Sequence, residues 1–449
     1  MEKILVNESN FNEIYDNPDL FFCEKILNNY EKGMYVFANI YQEAEFVDAI
    51  ATSYSACLTK NSIKAIDEYC FFTDDNHYKP IKLISRSFAL LRKAGQSDIQ
   101  DALSPDTMIS LYNNMAYHYS LHNRYCDVIK MYNKALSINP KNGMIRYNRV
   151  LYLKQHLFYI FKFCSLDKLY NFFVDELSNV YDNLTPDFED NRIKSIEKDL
   201  SDLQKLRSSY SQEKFITSPD LSTRSNSINP IVEIFPKERL PGEQDVILEN
   251  LINNDKYVEL VRAFLLLEFE THLLAIHTYP EVMISRKYST LIVQFYSFFD
   301  KIAYFLNDYY KVGIDPKKVS INNIFTFKNS KLLSYRNPFL YSIYWVAKEY
   351  RIDKINEFLD PLYLDFNELR NKLEHRCEPI NSDSSENLEQ VNKKLEQIVH
   401  DMLIHIQMMN EYEESLKIYG NDSSSVGFRS EDISFFDFFS NVIRGNRIK

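Results

Sequence analysis

Apolar residues recur every three to four positions along most of this chain, which is the period of an amphipathic α-helix. The pattern dominates from about residue 12 to residue 206 and returns from about residue 245 to residue 418. Between the two blocks, residues 208–244 lose the period, are rich in Ser, Thr and Asn, and carry four prolines. The pattern therefore predicts two helical regions joined by a linker.

The second block has the helices of a bundle. Four long stretches and one short stretch are predicted there, at Asp255–His277, Val282–Tyr310, Pro338–Glu349, Ile355–Arg376 and Glu386–Lys417. Four or five helices of this kind can bury a common core. The tail beyond residue 419 holds an apolar stretch, Ile433–Ile443, with two open interpretations. It is either a helix that packs back onto the protein, which we favour, or a segment that binds a partner.

Within the first block, the 34 residues of Ile109–Asn142 have the spacing of a two-helix repeat. Ala116 and Ala135 would let its two helices approach closely, and Pro140 would end the second one. Asn123 lies in the turn, where it tolerates a left-handed backbone. The window resembles a tetratricopeptide repeat. Because one such repeat cannot bury its own faces, we expect neighbouring helix pairs that make residues 1–205 a repeat array.

The composition favours helices over every fold that needs glycine. The chain has only 8 Gly in 449 residues, whereas average usage is about 7%. No glycine-rich phosphate loop and no nucleophile elbow is present, so P-loop, Rossmann and α/β-hydrolase chemistry is excluded. Many of the residues available for a core are aromatic: the chain has 32 Tyr, 32 Phe and a single tryptophan, Trp345. The expected fold class is all-α.

Charge and cysteine usage narrow the class of protein further. The net charge of −11 excludes a protein that coats polyanions with its whole surface, so a nucleic-acid site would have to be local. The six cysteines include no CxxC pair, which argues against a disulfide framework or a zinc module. The start of the chain lacks an apolar signal core, and no uncharged stretch approaches the roughly 20 residues of a membrane span. We expect a soluble, cytoplasmic protein with no membrane contact.

One predicted helix of the second block carries the candidate chemistry. Arg370 and His375 are separated by four residues, and the polar Asn371 follows the arginine. Residues five apart on a helix point about 140° away from each other, whereas Asn371 and His375, four apart, share a face. Arg370 and Glu374 are also four apart, so an ordinary surface ion pair is the structural alternative to a functional site.

These residues resemble the R-x4-6-H motif of the HEPN superfamily, whose catalytic members are metal-independent ribonucleases. The resemblance implies that Arg370, Asn371 and His375 are catalytic and that no metal or other cofactor takes part. It also implies a homodimer through the bundle, in which two such helices face each other across one cleft. The expected products are a 2′,3′-cyclic phosphate and a 5′-hydroxyl, because the 2′-hydroxyl of RNA is the nucleophile.

Basic residues near the motif are candidates for RNA binding. Between residues 281 and 378, 15 basic residues outnumber 12 acidic ones, within a chain that is acidic overall. Lys372 and Arg376 flank the motif, and Lys301 comes from a preceding long helix. Phosphate contacts by such residues give salt-dependent binding. For each of them alone, a solvated helix face is the plainer interpretation.

Other histidines are interpreted as structural. His118 and His122 have the four-residue spacing of a metal pair, but no third ligand accompanies them. Arg149 and His156 also satisfy the R-x4-6-H pattern. That pair lies in the repeat array and Val150 follows its arginine, so we discount it.

The sequence therefore predicts four regions: a tetratricopeptide-like sensing or assembly domain (1–205), a linker (206–246), a HEPN-like ribonuclease domain (247–418) and a C-terminal tail (419–449). The resemblance implies a toxin or anti-phage defence effector that cuts tRNA or other RNA, with a protein partner or trigger on the first domain. The main alternative is a non-catalytic helical scaffold that binds protein partners. A nucleotide-binding HEPN regulator without nuclease activity is the third possibility.

Overall fold

The computed structural model describes residues 3–16, 19–62, 73, 75–94, 105–160, 166–184, 188–210, 268, 284–326, 332–349, 385–419 and 434–444. These residues are almost entirely helical, which confirms the all-α fold class. The strands among them are two short ones, β1 (Ile4–Leu5) and β2 (Tyr35–Val36), which pair in parallel.

The N-terminal array, residues 3–210 as far as they are described, is a succession of packed helices. They are α1 (Glu8–Asp16), α2 (Leu20–Glu31), α3 (Ile40–Ser62), α4 (Asp75–Ala94), α5 (Pro105–Leu121), α6 (Tyr125–Ile138), α7 (Gly143–Gln155), α8 (Leu157–Ile160), α9 (Leu166–Asp182) and α10 (Asp190–Ser209). Helix α3 packs on α4, and α5 packs on α6. The array thus buries its apolar faces between successive helices, as repeat architectures do.

The predicted helix–turn–helix is confirmed in α5 and α6. Ala116 and Ala135 are fully buried, so the two helices approach where their side chains are smallest. Asn123 has a φ of 56° in the turn, the left-handed conformation that its sequence position suggested. Val128 of α6 is also fully buried.

The C-terminal bundle comprises the described residues from 284 to 419. Its helices are α11 (Ile284–Tyr309), the single turn α12 (Ile321–Ile324), α13 (Pro338–Ala347) and α14 (Ser385–Tyr419). Short 3-10 turns lie at Pro316–Lys318 and Leu332–Tyr335. Helix α14 packs on both α11 and α13. The predicted long helices at 282–310 and 386–417 and the short one at 338–349 are confirmed in position. The stretches at 255–277, except residue 268, and at 355–376, like most of the predicted linker, lie outside the described residues.

The apolar tail stretch forms helix α15 (Phe435–Ile443), which packs back onto the array. The ring of Phe435 lies 4.7 Å from that of Phe173, centroid to centroid. At the start of α15, the Ser434 hydroxyl donates a hydrogen bond of 3.2 Å to Asp202 in α10. The favoured interpretation of the tail is therefore confirmed. Among the helices that the structure describes, none is long and apolar enough to cross a membrane.

Candidate functional site

The predicted motif segment lies between two well-packed helices. Arg370, Asn371 and His375, with the flanking Lys372 and Arg376, fall within residues 350–384, outside the described residues. The helix before this segment, α13, is buried over its whole length, and α14 follows the segment. Helices α13 and α14, which flank this segment in the sequence, pack on each other.

One carboxylate, that of Glu413, accepts hydrogen bonds from residues at the ends of two other helices of the bundle, α11 and α13. Glu413 of α14 accepts hydrogen bonds from the hydroxyls of Tyr309, at 2.6 Å, and of Tyr310. It also accepts from the side-chain amide of Asn337, at 3.1 Å. The Asn337 side chain in turn caps α13 by accepting from the backbone N–H of Phe339 at 3.0 Å. Burial and the nearby Glu413 raise the pKa of Tyr310, so its hydroxyl remains a donor.

Lys301 is the one predicted RNA-binding residue that the structure describes. Its ammonium forms an ion pair with Glu268 and lies 5.1 Å from the centre of the Phe298 ring. The side chain remains 38% exposed, so it lies at the surface of the bundle. Its role in RNA binding stays a prediction, and an RNA phosphate would have to compete with Glu268 for the ammonium.

The most heavily buried charges lie where the array meets the bundle, which we call the array–bundle interface. Arg124, at the start of α6, forms an ion pair with Glu349, two residues beyond the end of α13. The two side chains are only 1% and 2% exposed. Arg124 also bonds Asp127 at 2.7 Å, and the Tyr78 hydroxyl donates to Glu349 at 2.7 Å. Two carboxylates and a phenol thus satisfy one buried guanidinium.

Electrostatics keep the Arg124 guanidinium ionised. Burial alone would lower the pKa of Arg124, but Asp127 and Glu349 outweigh it and raise that pKa well above its usual value. For Tyr78, burial and the Glu349 carboxylate raise the pKa well above the usual value, so its hydroxyl stays protonated. The cluster therefore holds one buried cation between two carboxylates, and the neutral Tyr78 hydroxyl donates to one of them, so loss of Arg124 would leave buried negative charge unpaired.

The single tryptophan of the chain lies in the same interface. The ring of Trp345 stacks on Tyr78 of α4 with centroids 4.6 Å apart and planes within 6°. The ring of His122 meets it edge-on at 4.9 Å. Because Trp345 is 1% exposed and touches both parts of the protein, its fluorescence reports directly on whether they are docked.

A second ion pair and an aromatic cluster extend the interface along α14. Lys130 of α6 pairs with Asp401, whose side chain is 6% exposed. Burial opposes ionisation of Asp401, but Lys130 and His400 hold its pKa below the usual value. Farther along, Tyr159 of α8 packs on Phe339, with ring centroids 5.3 Å apart, and on Tyr412 at 6.0 Å. Charged and apolar contacts together make this a closed interface rather than a hinge.

The histidines interpreted as structural are all buried. His122 Nδ1 bonds the backbone oxygen of His118 at 2.9 Å. Burial and the neighbouring His122 lower the pKa of His118 to about 3. In the discounted motif, Arg149 pairs with Glu176 at 2.7 Å and His156 bonds the Tyr152 carbonyl at 2.8 Å. Within the described ranges, no group of three acidic, histidine or cysteine side chains could hold a metal ion.

We expect acid to weaken the array–bundle interface through His405 of α14. Both ring nitrogens lack a hydrogen-bond partner among the described residues, and burial lowers the pKa of His405 to about 4. A histidine with a lowered pKa binds protons more weakly in the folded state than in the unfolded state. Stability that is present above pH 6.5 is therefore lost as the pH falls toward 4.

This loss is measurable as the urea midpoint of Trp345 fluorescence against pH. His405→Leu should remove about 2 kcal/mol of the destabilisation between pH 7.5 and pH 4.5, since a shift of one pKa unit is worth about 1.4 kcal/mol. Parallel profiles for wild type and His405→Leu would contradict the assignment.

Comparison with known proteins decides the nature of the bundle. A family model described as LA2681-like HEPN matches residues 273–416. This range holds α11, α13 and all but the last three residues of α14, together with the whole motif segment. The C-terminal part of the chain is a HEPN domain. No curated protein matches the chain, and no solved structure matches it.

The interface residues could not have been chosen from the sequence. Arg124 and Glu349 are 225 positions apart, and nothing in the local pattern of either residue names the other. One signal was present in hindsight: Arg124 directly follows the left-handed Asn123, so its side chain is fixed at the start of α6. The HEPN domain therefore does not stand alone, because the array supplies the cation for the carboxylate that precedes the motif segment.

Proposed function

We propose that the chain is a metal-independent endoribonuclease whose HEPN domain cleaves RNA with Arg370 and His375. The observation that carries the proposal is the family match, which spans the R-x4-6-H motif at residues 370–375. A histidine with an ordinary pKa near 6.5 can accept and donate protons at neutral pH. An arginine stays charged and can hold the phosphate while negative charge builds on it.

The proposed reaction needs no metal because RNA carries its own nucleophile. The 2′-hydroxyl loses its proton and attacks the adjacent phosphorus, while the 5′-oxygen of the next nucleotide leaves and takes up a proton. The products are a 2′,3′-cyclic phosphate and a 5′-hydroxyl. His375 would take part in the proton transfers, and Arg370 would stabilise the negative charge on the phosphate oxygens in the transition state. On the predicted helix, Asn371 would share a face with His375 and position it.

Substrate binding would rest on the basic residues around the motif. Lys372 and Arg376 flank it in sequence, and Lys301 lies on the exposed surface of α11. A tRNA or another structured RNA is the proposed substrate. Damage to host RNA fits a toxin or an anti-phage defence effector, since uncontrolled cleavage would harm the cell and demands a trigger.

The N-terminal array is the proposed control element. Arg124 and Tyr78 bind Glu349, and the segment that carries the motif begins directly after Glu349. A protein partner that shifted α4 or α6 would remove the cation and the hydroxyl from this carboxylate. The start of the motif segment would then lose its anchor. This arrangement supports control by the array.

The test of the proposed activity is RNA incubation with a chelator present. Wild type should cleave, and Arg370→Ala and His375→Ala should not. A chain that never cleaves RNA, with or without disruption of the array–bundle interface, would be the helical scaffold instead.

We expect the protein to form a homodimer through the HEPN domain. On the helix that the sequence predicts, Arg370 and His375 would point about 140° apart, so a single copy would leave them on different faces. Two facing copies would line one cleft with two Arg and two His. Sedimentation velocity should give twice the chain mass at the concentrations where RNA is cut. Full activity from a strictly monomeric species would contradict a shared cleft.

A further inference from the structure

A cavity of about 340 Å³ opens in the N-terminal array, between helices α1, α3, α4 and α5. Its wall combines the aromatic rings of Phe11 and Tyr15 with the carboxylates of Glu45, Asp48 and Asp106. Leu91 contributes to an apolar side. The cavity is thus lined by negative charge, aromatic rings and aliphatic surface together. That combination suits a cation carried on an alkyl chain.

Asp48 is the unusual group in this wall. Its Oδ2 accepts only a long hydrogen bond, 3.4 Å, from the side-chain amide of Asn114. Its Oδ1 is buried and has no hydrogen-bond partner among the described residues. Burial raises the pKa of Asp48 to about 7, with Asn114 opposing and Glu45 adding to the rise. A buried carboxylate with so little hydrogen bonding is costly, and a cation bound nearby in the cavity would offset its negative charge.

The mouth of the cavity carries an aromatic ring beside these carboxylates. Tyr15 is 52% exposed, and burial of its hydroxyl together with Asp48 and Glu45 raises its pKa. The ring therefore lies within electrostatic reach of both acids. A cation between the ring face and the carboxylates would be attracted by both. Glu45 and Asp106 are themselves exposed, so they would draw a cation toward the opening.

We propose that this cavity binds a primary alkylammonium group, with the ammonium beside Asp48, Glu45 and Tyr15 and the alkyl chain along the apolar wall. An ammonium is a compact point charge that several carboxylates can share, whereas a guanidinium prefers two parallel bonds to one carboxylate. The group could come from a lysine side chain of a partner protein or from a free polyamine. This site goes beyond the proposed nuclease function and does not depend on it.

The test is calorimetric titration of the full-length protein with three probes. They are spermidine, a short peptide with one lysine, and the same peptide with acetyl-lysine. Asp48→Asn should weaken binding of the charged probes at least tenfold, because the neutral amide removes the charge at the ammonium. Glu13→Gln provides the matched control, since it removes one exposed carboxylate from α1 and should change binding less than twofold. Tyr15→Ala should weaken binding about threefold, and Tyr15→Phe should leave it unchanged.

Thermal unfolding separates a lost site from a lost fold. Asp48→Asn should have a higher Tm than wild type without ligand, because a buried unpaired carboxylate disappears, and should show no Tm increase with the charged probes. Preference for the lysine peptide over its acetylated form assigns the site to a protein side chain, and binding of spermidine alone assigns it to a polyamine. If Asp48→Asn and Glu13→Gln weakened probe binding equally, the binding would be a general attraction of cations to an acidic protein, and the proposal would be overturned. Absence of saturable binding would overturn it as well.

Discussion

Arg124→Met is expected to lower the free energy of unfolding by about 3–5 kcal/mol, the usual cost of removing one partner from a buried ion pair. Methionine preserves the apolar stem of the side chain but leaves Glu349 without a cation in a site where its side chain is 2% exposed. Asp127 loses its guanidinium partner at the same time. The remaining Tyr78 hydroxyl can solvate Glu349 but cannot neutralise it.

The measurement is urea unfolding followed by the fluorescence of Trp345, which stacks on Tyr78 in the array–bundle interface. Arg192→Met is the matched control because Arg192 forms an exposed pair with Glu189, at 3.7 Å, and should cost less than about 1 kcal/mol. The double variant Arg124→Met, Glu349→Gln should recover much of the loss, since no unpaired charge remains. If Arg124→Met and Arg192→Met lowered the free energy of unfolding equally, the buried ion pair would contribute no more to stability than the exposed one.

The same variant also bears on control of the enzyme. If the array restrains the motif segment through Glu349, then Arg124→Met should cleave RNA faster than wild type. Arg192→Met should cleave at the wild-type rate. A rate for folded Arg124→Met that is no higher than that of wild type would show that the interface is a structural contact without a role in regulation.

His375→Ala is expected to reduce RNA cleavage by about 10²–10⁴-fold, the usual contribution of a positioned general acid or base. Arg370→Ala should cost about 10²–10³-fold, because it removes the group that stabilises charge on the phosphate. Arg370→Lys should recover only part of the loss, since an ammonium lacks the planar fork of the guanidinium. Single-turnover cleavage of a labelled RNA measures these rates directly.

Two controls keep these losses interpretable. His277→Ala changes another histidine within residues 273–416 and should leave the rate unchanged. Lys372→Gln should weaken RNA binding and reduce its salt dependence without abolishing the chemical step. Undiminished cleavage by His375→Ala, with the wild-type fold and Trp345 fluorescence retained, would end the assignment of this histidine.

The helical architecture followed closely from the sequence because local rules determine it. The predicted helix at 282–310 is observed as Ile284–Tyr309, and that at 386–417 as Ser385–Tyr419. Both have sustained apolar periodicity, and Pro338 with the capping Asn337 marks the start of α13. The left-handed Asn123 was also foreseen, since few residues tolerate that conformation.

Features that depend on distant pairs could not be foreseen. The ion pairs of Arg124 with Glu349 and of Lys130 with Asp401 join residues 225 and 271 positions apart. Periodicity shows which face of a helix is buried but not which helix covers it. The cavity beside Asp48 could not be predicted from the sequence for the same reason: its wall comes from four helices, and no short motif links them. The assignment of Arg370 and His375 rests on sequence pattern and family membership.

The chemistry of the cut RNA ends tests the central claim most directly. RNA should be incubated with wild type or His375→Ala in excess chelator, and the new termini sequenced by methods selective for their chemistry. We predict 2′,3′-cyclic phosphate and 5′-hydroxyl ends with wild type and none with His375→Ala. Ends with a 3′-hydroxyl and a 5′-phosphate, cleavage that requires added metal, or identical cutting by His375→Ala would contradict a HEPN ribonuclease.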